Sequence, residues 1–362
     1  MTQPSEGDIR LKISDIVFPM FESAAEIILA IDSIKIADNK LSIDMTLGFY
    51  AESQTRSIVM LIQNAMAELG IEATDVSINT DLLASPSLQR NGQLAHVKNI
   101  VMVASGKGGV GKSTTAINLA LALQAEGANV GILDADIYGP SMRTMLGVAA
   151  EIKPELVDNK YAQPIKKFGL KSMSVGYLSE EKTPMIWRGP MAVRALQQLL
   201  ENTSWGELDY LIIDMPPGTG DIHISLAQKI SVSAAVIVTT PQEMALTDAR
   251  KGIEMFNKVG IPILGIIENM AVHNCSNCGF EEHIFGSGGA ENMASDYDLK
   301  VLASLPLSKS VREHIDAGAP TVVSEPVSAL AAAYLDLANH VAYALCQHNK
   351  SVNPGPKIQI IE

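Results

Sequence analysis

Residues 106–114 read Gly-Lys-Gly-Gly-Val-Gly-Lys-Ser-Thr, and this stretch constrains the fold more than any other part of the chain. It fits G-x-x-x-x-G-K-[ST] through Gly106, Gly111, Lys112 and Ser113. Such a loop needs a strand before it and a helix after it. Ile100–Ala104 is an apolar run of strand length, and Lys112–Ala125 is a helical stretch stopped at Gly127. Gly106, Gly108, Gly109 and Gly111 let the backbone turn the N–H groups of the loop, through Lys107, Val110 and Thr114, toward phosphate oxygens. The helix N-terminus adds the positive end of its dipole. Lys112 is expected to neutralise β- and γ-phosphates, and the Ser113 hydroxyl to ligate Mg²⁺.

The rest of the chain supplies a frame for that loop. Apolar runs recur at Val130–Asp134, Tyr210–Asp214, Ala234–Thr240, Ile263–Asn269 and Val301–Pro306, with helical stretches between them. Strands that are apolar throughout belong to a parallel sheet buried on both faces. The expected fold class is α/β, a P-loop NTPase with a mainly parallel sheet covered by helices on both faces. A small α+β domain precedes it. There Ile31–Ile36 and Lys40–Leu47 alternate as a hairpin, Thr55–Leu69 has helical spacing, and Glu72–Asn79 alternates again. The expected boundaries are 1–83 for this domain, 84–97 for a polar linker, 98–348 for the ATPase and 349–362 for a C-terminal tail.

Apolar residues are 47% and charged ones 19%, enough for a sizeable core. Lys and Arg number 27 against 40 Asp and Glu, a net charge of −13. That argues against nucleic acid and anionic membrane as partners. The polar N-terminus lacks the apolar run of a signal peptide. The longest apolar candidate, Leu330–Cys346, is interrupted by Asp336, Asn339 and His340 and reads as an amphipathic helix rather than a membrane span. The expected compartment is cytoplasmic.

Asp214 ends a buried strand, where a carboxylate would hold a water on Mg²⁺. Met215–Asp221 then reads as a switch segment whose Gly218 would sense the γ-phosphate. Asp134 is expected to support Mg²⁺ or its water shell, and His223, beside the switch, reads as a packed core histidine. A second lysine at position 107 resembles the deviant Walker A family, which includes the MinD/ParA ATPases, the nitrogenase iron protein and the arsenite-pump ATPases. The resemblance implies a dimer in which Lys107 reaches the partner's nucleotide as an arginine finger does. It also implies that Asp136 orients the attacking water, that Asn269 reads the adenine, and that Pro306 and Leu307 pack against the base.

The cysteines are Cys275, Cys278 and Cys346, too few and too odd in number for a disulfide framework. Cys275-Ser-Asn-Cys278 follows the Asn269 strand end directly. It is compatible with a zinc site completed by His273 and His283, a redox pair, a buried inert pair, or an iron–sulfur cluster. A [4Fe–4S] cluster usually takes four thiolates, which two chains about a two-fold axis would supply. The dimer implied by Lys107 agrees with that arrangement and favours a bridging cluster over zinc.

Residues 98–345 resemble the Mrp (ApbC) family of iron–sulfur cluster carrier ATPases through GKGGVGKSTTAINLA, LDADIYGPSM, IWRGPM at Ile186–Met191, LDYLIIDMPPGTGD, and ENM followed by CSNCG. The resemblance implies a homodimer that binds ATP and Mg²⁺. It implies a labile [4Fe–4S] cluster on Cys275 and Cys278, taken from scaffold proteins and passed to apo-proteins. The alternative is a MinD/ParA-type positioning or scaffold ATPase with a structural zinc at the cysteine pair. The end of the chain, QHNKSVNPGPKIQIIE, has two prolines and no basic stripe, which is poor for a membrane anchor. Residues 8–80 resemble the MIP18 (DUF59) domain. The segment ISDIVFPMFESA stands in place of its acidic opening, and no cysteine precedes Cys275.

Overall fold

Residues 4–18, 21, 24–37, 40–71, 73–85, 92–158, 160–178, 189–275 and 277–352 are described by a computed structural model of the chain. It divides into two units, Met1–Leu83 and Ala84–Glu362.

In the first unit Ser5 caps α1 (Glu6–Ser14) by a capping box with Asp8, the Ser5 N–H lying 2.8 Å from the Asp8 carboxylate. After α2 (Ala24–Leu29), β1 (Ile31–Ala37) pairs antiparallel with β2 (Lys40–Leu47), setting Ile34 against Ile43 and Ile36 against Leu41. This is the expected hairpin, whose tip at 38–39 lies outside the described residues. Then α3 (Glu52–Glu68) crosses over to β3 (Ala73–Thr80), which runs parallel to β2. Ile43 and Met45 from the sheet and Ile62 and Met66 from α3 are fully buried, as their spacings require.

The second unit opens with a 3₁₀ turn at Gly92–His96. It continues through β4 (Val97–Ala104), α4 (Lys112–Ala125), β5 (Val130–Asp134) and the short α5 (Met142–Met145). A ribbon of β6 (Leu156–Val157) and β7 (Tyr161–Ala162) leads to β8 (Ile165–Lys167) and β9 (Leu170–Ser174). There follow α6 (Gly189–Glu201), β10 (Leu208–Asp214), α7 (Asp221–Lys229), β11 (Ala234–Thr239) and α8 (Glu243–Val259). The chain ends with β12 (Ile263–Asn274), β13 (Glu281–Glu282), α9 (Gly289–Asp296), β14 (Val301–Leu307), α10 (Lys309–Asp316), α11 (Thr321–Ser324) and α12 (Ala329–Val352).

The large sheet has the order β13-β12-β11-β4-β10-β5-β9-β8, with β14 also on β12. Pairs from β12 through β9 are parallel, as is β12 with β14; β8 and β13 are antiparallel additions. Every residue of β10 is buried, which is why these strands read as unbroken apolar runs. The sheet is the expected parallel one, flanked by helices. The edge strand β8 and its neighbour β9 were not legible, because Ile165–Ser174 mixes lysines and serines into a short ladder.

Two expected boundaries shift. The linker was drawn through residue 97, but Val97 already opens β4, and residues 86–91 lie outside the described residues. The tail was drawn from 349, yet α12 continues to Val352. The reason is a buried amide pair: Asn349 Nδ2 donates to Asn99 Oδ1 at 3.2 Å, and Ser85 Oγ lies 3.0 Å from both side-chain oxygens. Residues 353–362 and 186–188, the latter within the IWRGPM string, lie outside the described residues, as do four positions of ISDIVFPMFESA.

By length and composition α12 could cross a membrane. It is instead a core helix, with Ala331, Leu337, Ala338 and Val341 at 0% exposure against its own unit. His340 Nδ1 lies 2.8 Å from the Leu302 carbonyl, and Asn339 Nδ2 donates to Glu126 at 3.3 Å. Leu337→Ala leaves a cavity in that core and is expected to cost about 2–5 kcal/mol, read as a lowered denaturant midpoint at unchanged m.

Candidate functional site

The phosphate-type loop joins β4 to α4 at the carboxyl edge of the sheet. Gly109 and Gly111 sit at φ +83° and +80°, in the left-handed region that suits glycine. Gly111 is also the N-cap of α4, and it brings no side-chain cap. The first-turn N–H groups therefore lack a side-chain acceptor and face outward as an anion cradle. A side chain at Gly106 would overlap the Asp248 backbone of α8, and one at Gly111 would overlap the Asn269 amide. The loop is thus wedged between α8 and β12. Beside it opens a cleft of about 270 Å³ lined by Lys107, Gly108, Ser113, Asp136, Ser141 and Pro217 among others.

Asp214 and Asp134 are register partners at the ends of β10 and β5, and both are fully buried. Lys112, also buried, is ion-paired with Asp214 Oδ1 and donates to Ser113 Oγ at 3.2 Å. Burial pushes Asp214 upward, and the Lys112 charge pulls against it. Asp214 Oδ2 is buried without a hydrogen-bond partner among the described residues. An orphaned carboxylate oxygen near the Ser113 hydroxyl is the hard donor set that Mg²⁺ takes.

Asp134 is raised to about 7, first by burial and then by the charge of Asp214. Its carboxylate accepts from Ser174 Oγ at 2.9 Å and from the N–H groups of Asp136, Ser141 and Met142 at 3.1, 3.1 and 3.2 Å. Its work in this structure is to pin the segment after β5. Asp136, on that segment, is half-buried at the cleft and accepts from Gly139 N–H at 3.2 Å. Of the two switch segments, the one after β5 that bears Asp136 and Met215–Asp221 after β10, the latter closes onto the loop as Gly218 N–H donates to Ser105 O at 3.0 Å. His223 is 2% exposed with Nε2 2.8 Å from Pro216 O, as a packed histidine should be. Lys107 is half-buried on the cleft, and its ammonium has no ion pair among the described residues.

Asn269 and Pro306 do not line the cleft. Asn269 is buried and its Nδ2 donates to Val110 O at 2.9 Å, so its donor is committed to the loop itself. Pro306 is half-buried within β14. Sequence reasoning also missed Arg143. Its buried guanidinium donates to the carbonyls of Gly176 at 3.1 Å, Ile152 at 3.1 Å and Tyr177 at 3.3 Å. Its acceptors divide between the following turn, at Val148, Ala149 and Ile152, and the turn after β9, at Gly176 and Tyr177, and carbonyl acceptors leave no mark in the side-chain pattern.

The cysteine pair caps the hairpin between β12 and β13. Cys275 N–H donates to Phe280 O at 2.9 Å and Gly279 N–H returns to Cys275 O at 2.8 Å, with Gly279 at φ +72°. Cys275 is half-buried and Cys278 exposed; Cys346 is buried in α12. Backbone N–H groups of Asn277 and Cys278 draw the Cys275 thiol below its ordinary value, which favours the metal-binding thiolate. Among the described residues no helix starts at the pair, unlike a thioredoxin-type site. Among the described residues no three of His, Cys, Asp and Glu converge on one point. His273 Nδ1 and His283 Nδ1 approach the carbonyls of Leu307 and Ala271 at 3.2 and 2.9 Å. Phe280 and Ile284 beside the thiols are 66% and 50% exposed.

The raised Asp134 gives a pH prediction for the nucleotide-free chain. The unfolded carboxyl ionises near 3.8 and the folded one near 7, so between those values the folded state binds more protons. Stability should therefore fall as pH rises from about 4 to 7. Thermal melts across that range should show the fall, and Asp134→Asn should reduce it, the remainder belonging to Asp214, which burial also raises.

Comparison with known proteins adds the family. A family of the ParA type, described as the NUBPL iron-transfer P-loop NTPase, matches residues 96–342. A Pseudomonas fragi protein named iron-sulfur cluster carrier protein is 56% identical over 279 residues, covering 77% of this chain and 97% of its own. Among solved structures, an Archaeoglobus fulgidus nucleotide-binding protein in complex with ADP superposes with TM-score 0.56 at 36% identity. It covers 62% of this chain and 88% of its own. The Pyrococcus furiosus cell division ATPase MinD shares the fold, with TM-score 0.50 at 23% identity over 68% of this chain and 98% of its own.

Proposed function

We infer the activity of this chain from one premise: it belongs to the NUBPL iron-transfer P-loop NTPase family. The chain is a cytoplasmic carrier that hydrolyses ATP and moves an iron–sulfur cluster. The observation that carries this reading is that one chain presents a phosphate cradle and a two-thiol hairpin to which the described residues add no third ligand. Two copies supply four thiolates, so the cargo is a [4Fe–4S] cluster held between the Cys275 and Cys278 pairs of a homodimer. The exposed Phe280 and Ile284 are surfaces such a dimer would cover. Scaffold proteins donate the cluster and apo-proteins receive it, their thiolates replacing those of the carrier one by one. Zinc could take the same four thiolates as a structural staple, so bound sulfide is what separates the two readings.

At the nucleotide, Lys112 exchanges Asp214 for phosphate oxygens, and the loop N–H groups hold the β-phosphate. Ser113 and Asp214 would hold Mg²⁺, directly and through water, with Asp134 behind them; bound there it would offset phosphate charge. Asp136 orients the attacking water, and Lys107 of one protomer neutralises charge on the partner's transferring phosphoryl group. Gly218 releases Ser105 to meet the γ-phosphate. Residues 1–83 form a MIP18-like domain without thiolate ligands.

Anaerobic reconstitution with iron and sulfide tests the cargo. About two iron and two sulfide per chain are expected, with charge-transfer absorption lost in a Cys275→Ala, Cys278→Ala double variant. Tightly held zinc without sulfide would overturn the reading. Lys107→Ala is expected to lower kcat for ATP by about 10³-fold or more while nucleotide binding persists, as loss of an arginine finger does.

A further inference from the structure

The strand β12 carries a loop contact near its middle and the cysteine turn at its end. Asn269 Nδ2 holds Val110 O at 2.9 Å, and the same amide occupies the space where a Gly111 side chain would stand. Cys275 follows six positions on, about 20 Å along an extended strand. Between them the pairing with β14 is irregular: Asn269 faces Leu305, His273 faces Leu307, and the register shifts in between. Met270 sits in that gap at φ +59°, a left-handed conformation that methionine rarely adopts. Beyond the gap the strand is gripped again. His273 Nδ1 meets Leu307 O, His283 Nδ1 meets Ala271 O, and β13 pairs with His273 and Asn274.

We propose that Asn269 is a positioning residue that carries the state of the nucleotide loop into the thiol hairpin, with Met270 as the pivot. The inference rests on the carrier reading above and names a route distinct from the two switch segments. When phosphate reshapes the loop around Val110 and Gly111, the Asn269 amide must follow or let go. The strand beyond Met270 turns with it as one piece, because its far end is held on both sides. Cys275 and Cys278 then change exposure together. A carrier needs such a link, since holding and releasing cargo require two thiol geometries of similar energy.

The test uses the full-length apo-protein under anaerobic conditions, with iodoacetamide as probe and mass spectrometry of the alkylated peptides. Buried Cys346 serves as the slow internal reference. In the wild type, saturating MgADP should change the alkylation rate of Cys275 and Cys278 by about fivefold or more. In Asn269→Ala, with MgADP binding measured separately by a fluorescent analogue, the change should drop below about twofold. A wild-type rate indifferent to bound MgADP, or an Asn269→Ala variant that keeps the full response, overturns the proposal. If Asn269→Ala does not bind MgADP or does not fold, Met270→Gly decides. It keeps the amide contact and frees the pivot, so loss of the response with binding intact supports the proposal and a retained response sinks it. Normal cluster uptake with no nucleotide response removes the coupling and leaves the carrier reading standing. Failure of both MgADP binding and cluster uptake removes both.

Discussion

Three buried charges at the carboxyl edge of an apolar sheet organise everything else in the second unit. Asp134 and Asp214 end adjacent strands, and Lys112 is ion-paired with Asp214. Each would be costly alone; breaking one such buried pair typically costs about 3–5 kcal/mol. The pairing holds only if β4, β10 and β5 lie side by side in register and α4 starts where it does. The loop that positions Lys112 is therefore also the keystone of the sheet edge. A nucleotide would enter by substituting for that internal ion pair.

The same edge explains why the switch segments are where they are. Asp134 gathers donors from Asp136, Ser141, Met142 and Ser174, so the segment after β5 folds over a carboxylate that burial has already raised. Gly218 ties the segment after β10 to Ser105. Ala135 and Ile137 root the first and Met215 the second in the core, and beyond those anchors both are held by a few hydrogen bonds. Segments held that way can exchange partners at modest cost, which a hydrolytic cycle requires. The thiol hairpin follows another logic: its backbone is closed on itself, and only its side chains face outward.

Much of this was legible beforehand. The glycine-lysine loop, the helix after it and the apolar strands have local causes, namely backbone freedom, helical spacing and burial on both faces. Those causes leave their marks within about ten residues, so β4, α4, β5, β10, β11 and β14 could be read with small errors at their ends, whereas β12, expected to stop at Asn269, runs on to Asn274 through half-buried polar residues that break the apolar run. The cysteine turn was legible for the same reason. The edge strand β8 and its neighbour β9 were not, because a short ladder containing lysine and serine lacks a period that distinguishes it from a loop.

What the sequence by itself determined is the chemistry carried: a phosphate cradle, carboxylates at strand ends, and two thiols three positions apart. What only the tertiary structure decided is which partners those groups take. Asn269 turned its amide to the loop, away from the cleft. Asn349 paired with Asn99 and extended the last helix past its expected end. Asp134 spent its carboxylate on three backbone N–H groups and the Ser174 hydroxyl. A buried polar group must find a partner wherever the folded chain happens to bring one. That partner can lie hundreds of residues away, where no local pattern records it.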